Sequence, residues 1–373
     1  MKLNEFKLER FFAKYEFKAP YLMCCSDCEA FTVQEILDLE PGAGNSLKAH
    51  WLGYTESQGS PALRTEISKL YSKVNPDEIL VHSGAEEAIF SFMNVALNPG
   101  DHVIVQFPYY QSLYEVARAI GCEISEWKLQ QGNRGWELDL DYLKQAIRGN
   151  TKAIVINSPH NPTGYLISHS EFEAVIEIAR EKNLLLFSDE VYKYLEYAES
   201  DRLPWACDVY ENAVSLGVMS KSFGLPGLRI GWVATRNREI YTAMAAFKDY
   251  TTICNSAPSE FLAEVALRNK KQVLERNLGL IKSNLELLDD FFLRYDSLFI
   301  WNRPKAGPIA FPKLNLDKNG EDICTDLVDK KGVLILPGTY YDFGDSYFRL
   351  GYGRKNLKAC LERFEEYVKE NLL

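Results

Sequence analysis

Lys221 has the strongest chemical potential of any residue in this sequence. It lies in Ser220-Lys221-Ser222-Phe223-Gly224-Leu225-Pro226-Gly227-Leu228-Arg229-Ile230-Gly231-Trp232, among small and apolar residues, with Arg229 following. A lysine is ordinarily a solvated surface group. Desolvation in these surroundings would instead depress its pKa and make the amine a Schiff-base nucleophile. Asp189, in Ser188-Asp189-Glu190-Val191-Tyr192, closes an apolar run. A carboxylate there is costly unless it is paired or used, and a helix N-cap is the bland alternative. Ser158-Pro159-His160-Asn161-Pro162-Thr163-Gly164 follows a second apolar run and has the composition of a turn. Ser83-Gly84-Ala85-Glu86-Glu87-Ala88 opens a helical pattern. Free backbone N–H groups at such a start bind phosphate and small residues let the anion approach, although small residues also serve plain tight turns. A phosphate there requires Glu86 and Glu87 to point away.

Each of these segments follows a short strand-like run. Such runs are expected over 79–82, 102–106, 153–157, 184–188, 213–216 and 229–234, with amphipathic helical patterns over 85–97, 113–120, 140–147 and 171–180. Helices between apolar strands imply crossover connections and a mainly parallel sheet covered on both faces. Ligands of open parallel sheets bind beyond the carboxyl ends of the strands, which is where the four segments fall. After residue 256 the pattern changes. One long helix is expected over 259–295, its apolar stripe being Leu274, Leu278, Ile281, Leu285, Leu288 and Phe292. Strands over 297–302, 309–314, 333–336 and 347–351, with helices over 322–331 and 355–370, suggest a smaller α+β unit. The first 45 residues carry Phe11, Phe12, Tyr15, Phe17 and Tyr21 but are too short to fold alone. They are expected to pack on the C-terminal unit.

The 373 residues suggest two domains, and the net charge of −10 argues against a phosphate-backbone binder. No apolar run is long enough to span a bilayer, and the charged N-terminus has no signal-peptide core. Cys24, Cys25, Cys28, Cys122, Cys207, Cys254, Cys324 and Cys360 form no dense framework, so a reducing, cytoplasmic setting is expected. Cys25 and Cys28 make a CxxC, but no second ligand pair accompanies it, and no metal site is expected.

Taken together, these segments resemble the fold-type I pyridoxal-phosphate enzymes, specifically the class I/II aminotransferases. The resemblance runs from Tyr54 to Arg349 and rests on Asn161-Pro162-Thr163-Gly164, on Asp189 with Tyr192, on Ser220-Lys221, and on Arg229 with Gly231. It implies a large cofactor domain of residues 46–280 and a small α+β domain of residues 1–45 and 281–373. It implies that Lys221 carries pyridoxal 5'-phosphate as a Schiff base and that Asp189 keeps the pyridinium nitrogen protonated, making the ring an electron sink. Asn161 and Tyr192 would hydrogen-bond the ring's phenolic oxygen, and Tyr110 would stack on the ring. Gly84, Ala85 and Glu86, with Ser220 and Arg229, would hold the phosphate. Tyr54 resembles the tyrosine that reaches the phosphate of a neighbouring subunit, which implies a homodimer. Arg349 resembles the arginine that clamps the substrate's α-carboxylate, with Asn161 beside it.

The implied activity is amino transfer between an amino acid and a 2-oxo acid, with the freed Lys221 amine as the general base. Two departures stand out. Val218 occupies a position that often holds a phosphate-binding hydroxyl, for which Ser222 is a candidate substitute. Cys25-Ser26-Asp27-Cys28-Glu29 replaces a glycine-containing segment that touches substrate in many relatives. Two rivals remain. A lyase or cyclase would use the same residues, whereas a non-catalytic regulator is disfavoured because Lys221, Asp189 and Arg349 are all kept. The substrate's identity and any second arginine for a side-chain carboxylate are not legible.

Overall fold

The apolar runs assemble into one seven-stranded sheet. In the computed structural model, which describes residues 2–132 and 135–373, its strands are β1 (Ile79–His82), β2 (His102–Phe107), β3 (Glu123–Lys128), β4 (Thr151–Asn157), β5 (Leu185–Asp189), β6 (Ala213–Val218) and β7 (Gly231–Thr235). Their spatial order is β1-β7-β6-β5-β4-β2-β3. Neighbours are parallel except at β7, which is antiparallel to both β1 and β6. Every residue of β1, β2, β5, β6 and β7 is buried, as expected of strands covered on both faces. After β3 the chain returns past β2 to β4 and winds the other way through β5 and β6. That reversal opens a crevice at their carboxyl ends.

The principal helices are α1 (Lys7–Tyr15), α2 (Ala85–Ala96), α3 (Ser112–Ile120), α4 (Leu140–Ala146), α5 (His169–Glu181), α6 (Ala257–Arg268), α7 (Lys270–Arg294), α8 (Gly320–Lys331) and α9 (Leu357–Asn371). Side chains of α2, α3 and α7 enter one core cluster with sheet residues Val103, Val155 and Phe187, while those of α5 and α6 join a second with Ile104, Ile154 and Leu186. Successive residues of β2, β4 and β5 thus serve opposite faces of the sheet, the two-residue alternation of a pleated strand.

The structure departs from the sequence expectations at several places. The helix expected over 259–295 is two helices, α6 and α7, broken at Asn269, whose side-chain amide donates to the Val265 carbonyl at 2.9 Å. The strand expected from residue 229 starts at Gly231, because Arg229 turns the chain with a left-handed φ of 53°. The run expected over 309–314 divides into β9 (Ile309–Ala310) and β10 (Lys313–Leu314), with β8 (Phe299–Ile300) pairing β10. β11 (Leu336–Pro337) and β12 (Phe348–Gly351) complete a three-stranded sheet with β9.

The N-terminal segment does pack on C-terminal elements. Tyr21 and Leu22 pair in parallel with Val333 and Leu334, and Leu8 and Phe11 are buried with Val328, Leu336 and Tyr341. Phe17 is the exception, 90% exposed beyond the end of α1. The backbone of residues 23–29 runs against β12: Gly351 N–H donates to Met23 O at 2.9 Å, and Glu29 N–H donates to Gly353 O at 2.7 Å. A side chain on Gly351 would strike the Cys25 backbone. This close approach carries Ser26 and Asp27 to the same crevice as Arg349.

Candidate active site

The carboxyl ends of β4, β5 and β6, the start of α2 and the buried end of β12 enclose a cavity of about 410 Å³. Small-ligand and cofactor sites fall in this size range. Ala85, Glu86, Tyr110, Asn161, Asp189, Tyr192, Ser220, Lys221, Arg229 and Arg349 all line it. The chain separation between Ala85 and Arg349 makes this a product of the fold rather than of local sequence.

Asp189 ends β5 opposite Asn157 on β4. Its carbonyl accepts from Asn157 Nδ2 at 3.0 Å, and its Oδ1 accepts from the Val191 N–H at 3.2 Å. Burial pushes its carboxyl up to about 7, opposed by that N–H and by Lys221. The Asn157 side chain also accepts from the Asn161 N–H at 2.6 Å, which fixes the turn after β4. Lys221 follows the end of β6, and its Nζ donates to Ser26 Oγ at 2.8 Å. The amine faces the cavity with protein packed around it. Its pKa is lowered by desolvation, with Asp27 opposing and Arg349 reinforcing.

Arg349 projects from β12 and is 1% exposed. Nη1 donates to Asn161 Oδ1 at 3.1 Å and also to the Tyr341 hydroxyl, while Nη2 donates to Cys24 O at 2.7 Å. Three of the five guanidinium donors are thereby used. Nε, buried and without a partner, and one N–H of Nη2 remain. That edge has the geometry to take both oxygens of a carboxylate.

The opposite end of the cavity forms an anion cradle. Gly84, with φ of 87°, is the N-cap of α2, and any Cβ on it would press into the Arg229 guanidinium. Gly231 packs on the Gly84 backbone in the same way. The first N–H groups of α2, around Ala85 and Glu86, have no intrahelical acceptor. Ser220 Oγ is buried and unpartnered nearby. Helix N–H groups, an orphaned hydroxyl and a guanidinium together suit a phosphate.

Two expectations are corrected. Glu87 does point away, accepting from the Ser83 N–H and the Thr251 and Thr252 hydroxyls, but Glu86 points into the cavity, where Ser112 Oγ donates to it at 3.2 Å. Ser222 does not replace the hydroxyl missing at Val218: it is buried and donates to the Val191 carbonyl at 3.1 Å. Tyr54 lies outside its own chain's cavity, 86% exposed, in a surface hollow with Leu52 and Cys254, which is where a residue that serves a neighbouring subunit would lie. Sequence reasoning also missed Glu9, Phe12, Glu16 and Arg354, which line the cavity with Ser26 and Asp27 of the 25–29 segment, and Tyr341, which buttresses Arg349. Among the described residues, no three His, Cys, Asp or Glu side chains group as metal ligands. No helix there is long and apolar enough to cross a membrane.

The sequence model of the family "Aminotransferase class I and II" matches residues 23–364. The chain belongs to this family. It is 28% identical over 356 residues to an aspartate aminotransferase of Bacillus sp. (strain YM-2), covering 91% of this chain and 88% of that one. A crystal structure of a PLP-dependent aminotransferase from Streptococcus suis 89-1591 superposes with a TM-score of 0.93 at 33% identity, covering 99% of this chain and 98% of that one. A PLP-dependent cyclase, OrfR, superposes with a TM-score of 0.91 at 27% identity, covering 99% and 98%. Membership implies pyridoxal phosphate as the cofactor. The residues present fit it: an orphaned hydroxyl at an anion cradle, a desolvated lysine, and a buried carboxylate without a cation.

Asp189 supplies a stability test. Its folded pKa lies above its unfolded value, so the folded apoprotein binds more protons between pH 4 and 7 and loses stability as pH rises through that window. The Asp189→Asn apoprotein is therefore expected to be more stable than the wild type at pH 8, on the order of a few kcal/mol, and to melt higher. Thermal melts across pH should show that difference vanishing near pH 4. Equal melting at pH 8 would mean that the carboxylate is already compensated.

Proposed function

We propose that this protein is a pyridoxal-phosphate-dependent aminotransferase that moves the amino group of an amino acid to a 2-oxo acid. The observation that carries the reading is the convergence of a desolvated Lys221 amine, the uncompensated Asp189 carboxyl and the free donor edge of Arg349 on one cavity. When bound, pyridoxal phosphate supplies a sink for the electron pair left at the substrate's Cα. The chain's residues do the rest. Lys221 would be the residue that anchors the cofactor covalently, through Nζ. Its free amine would serve as the general base that takes the proton from the substrate's Cα. Desolvation favours the neutral amine that this requires. Asp189 would hold the proton on the ring nitrogen. Tyr192 and Asn161 would hydrogen-bond the phenolic oxygen, and Tyr110 would stack on the ring.

Gly84, Ala85 and Glu86, through their backbone, and Ser220 and Arg229, through their side chains, take the phosphate. Arg349 holds the α-carboxylate, with Asn161 locking its Nη1. In this reading, residues 46–280 form the cofactor domain and the two chain ends form the small one. The working unit is a homodimer in the cytoplasm. Its dimer face includes Tyr54 with the exposed Trp51, Leu52 and Ile253, a patch that isolated monomers seldom leave uncovered. Tyr54→Phe is expected to weaken cofactor retention about tenfold on dialysis, the worth of one hydrogen bond to a charged group. Unchanged retention would remove Tyr54 from the phosphate site.

A second reading, a cyclase using the same residues, is favoured by the likeness to OrfR. Incubation with an amino acid pool, with and without 2-oxo acids, separates the two. Amino transfer predicts a new amino acid only when a 2-oxo acid is added. A cyclic amino acid, or pyruvate and ammonia, formed without an acceptor would contradict it.

A further inference from the structure

One face of α1 closes over the cavity, and that face is acidic. Glu9, Phe12 and Glu16 recur at steps of three and four residues and all line the cavity. The helix is pinned from outside. Its Lys7 N–H donates to Gln111 Oε1 at 2.9 Å, Gln111 Nε2 donates back to Glu5 O at 2.9 Å, and the Asn4 N–H donates to Glu115 Oε1 at 2.9 Å. The two carboxylates are therefore presented by a fixed element. Neither has an ion-pair partner among the described residues, whereas Asp27 is held by Arg354 at 3.0 Å. Glu9 acts electrostatically on Glu86 and Tyr110, and Glu16 on Arg354 and Asp27. Both carboxylates thus face the cavity interior.

The cations are already committed. Arg229 belongs to the anion cradle. Arg354 is neutralised by two Asp27 oxygens. Arg349 keeps a buried, unpartnered Nε, which suits one carboxylate. No free guanidinium remains among the described residues of the cavity for a second carboxylate, and the unpaired charges that α1 brings to it are those of Glu9 and Glu16. Resting on the reading that this cavity binds amino acids, we propose that the substrate is a basic amino acid: Arg349 holds its α-carboxylate, and Glu9 and Glu16 take its side-chain ammonium or guanidinium. The likeness to an aspartate aminotransferase would by itself suggest a dicarboxylic substrate. The lining charge is of the wrong sign for one.

The test is calorimetric titration of the holoenzyme with α-methylornithine, α-methylnorvaline and α-methylaspartate. None of these has a Cα–H, so affinity is read without turnover. α-Methylornithine is expected to bind at least tenfold more tightly than the neutral analogue, and α-methylaspartate more weakly than either. In the conservative Glu9→Gln/Glu16→Gln variant the ornithine preference is expected to fall at least tenfold. The neutral analogue should bind that variant as it binds the wild type, which serves as the check on folding. Tightest binding of α-methylaspartate, equal binding of all three, or a preference unmoved in the double variant would overturn the proposal while leaving the aminotransferase reading intact. Absence of binding by every analogue, with no cofactor attached to Lys221, would overturn both.

Discussion

Replacing Lys221 by alanine is expected to lower kcat/KM for any amino donor by at least about 10³-fold. A positioned general base alone contributes on the order of 10²–10⁴, and the covalent anchor of the cofactor is lost with it. The fold should survive. Lys221 makes one side-chain hydrogen bond, to Ser26, and its amine is desolvated rather than stabilised by an ion pair. Melting temperature and oligomeric state should therefore match the wild type while turnover collapses. Retention of even a tenth of the activity would assign the proton transfer to another group.

The second large effect is expected at Arg349. Arg349→Lys keeps the charge but removes the planar donor edge formed by Nε and Nη2, which an ammonium cannot reproduce. Losing one or two charge-assisted hydrogen bonds to the substrate carboxylate costs about 2–4 kcal/mol, a fall of roughly 30- to 1,000-fold in kcat/KM. Most of it should appear in KM, because the carboxylate is held equally before and during the proton transfer. The same change leaves the Asn161, Tyr341 and Cys24 acceptors short of donors. A lower melting temperature should accompany the kinetic loss. A normal KM for every amino acid would place the carboxylate elsewhere.

These two residues illustrate what the sequence made legible. Lys221, Asp189 and Asn161 could be placed because each sits just beyond a short apolar run, and the rule that ligands gather at carboxyl ends converts that position into a site. The strands themselves were readable for the same reason: buried on both faces, they are continuous apolar runs. β3 was not, because its residues alternate, with Ser125 and Trp127 inward and charged Glu123 and Lys128 exposed. The break between α6 and α7 kept the apolar periodicity on both sides, so only Asn269 marked it.

Glu9 and Glu16 had no local signal, and only the family resemblance pointed to Ser26 and Asp27. They reach the cavity because residues 23–29 follow β12 and because α1 is tied to Gln111 and Glu115, all contacts between residues more than 100 positions apart. Glycines at 351 and 353 were the one trace of that approach, since side chains there would collide with the backbone at Cys25 and Asp27. Glu86 escaped prediction for a different reason. A phosphate site argues against an inward carboxylate, but Ser112 on the neighbouring helix α3 supplies a donor that holds it there.

The central claim is that Lys221 carries the cofactor. Reduction of the holoenzyme with borohydride, followed by peptide mapping, tests it most directly. The account predicts a single pyridoxyl-modified peptide containing Ser220-Lys221-Ser222. Modification at any other lysine, or none, would contradict it.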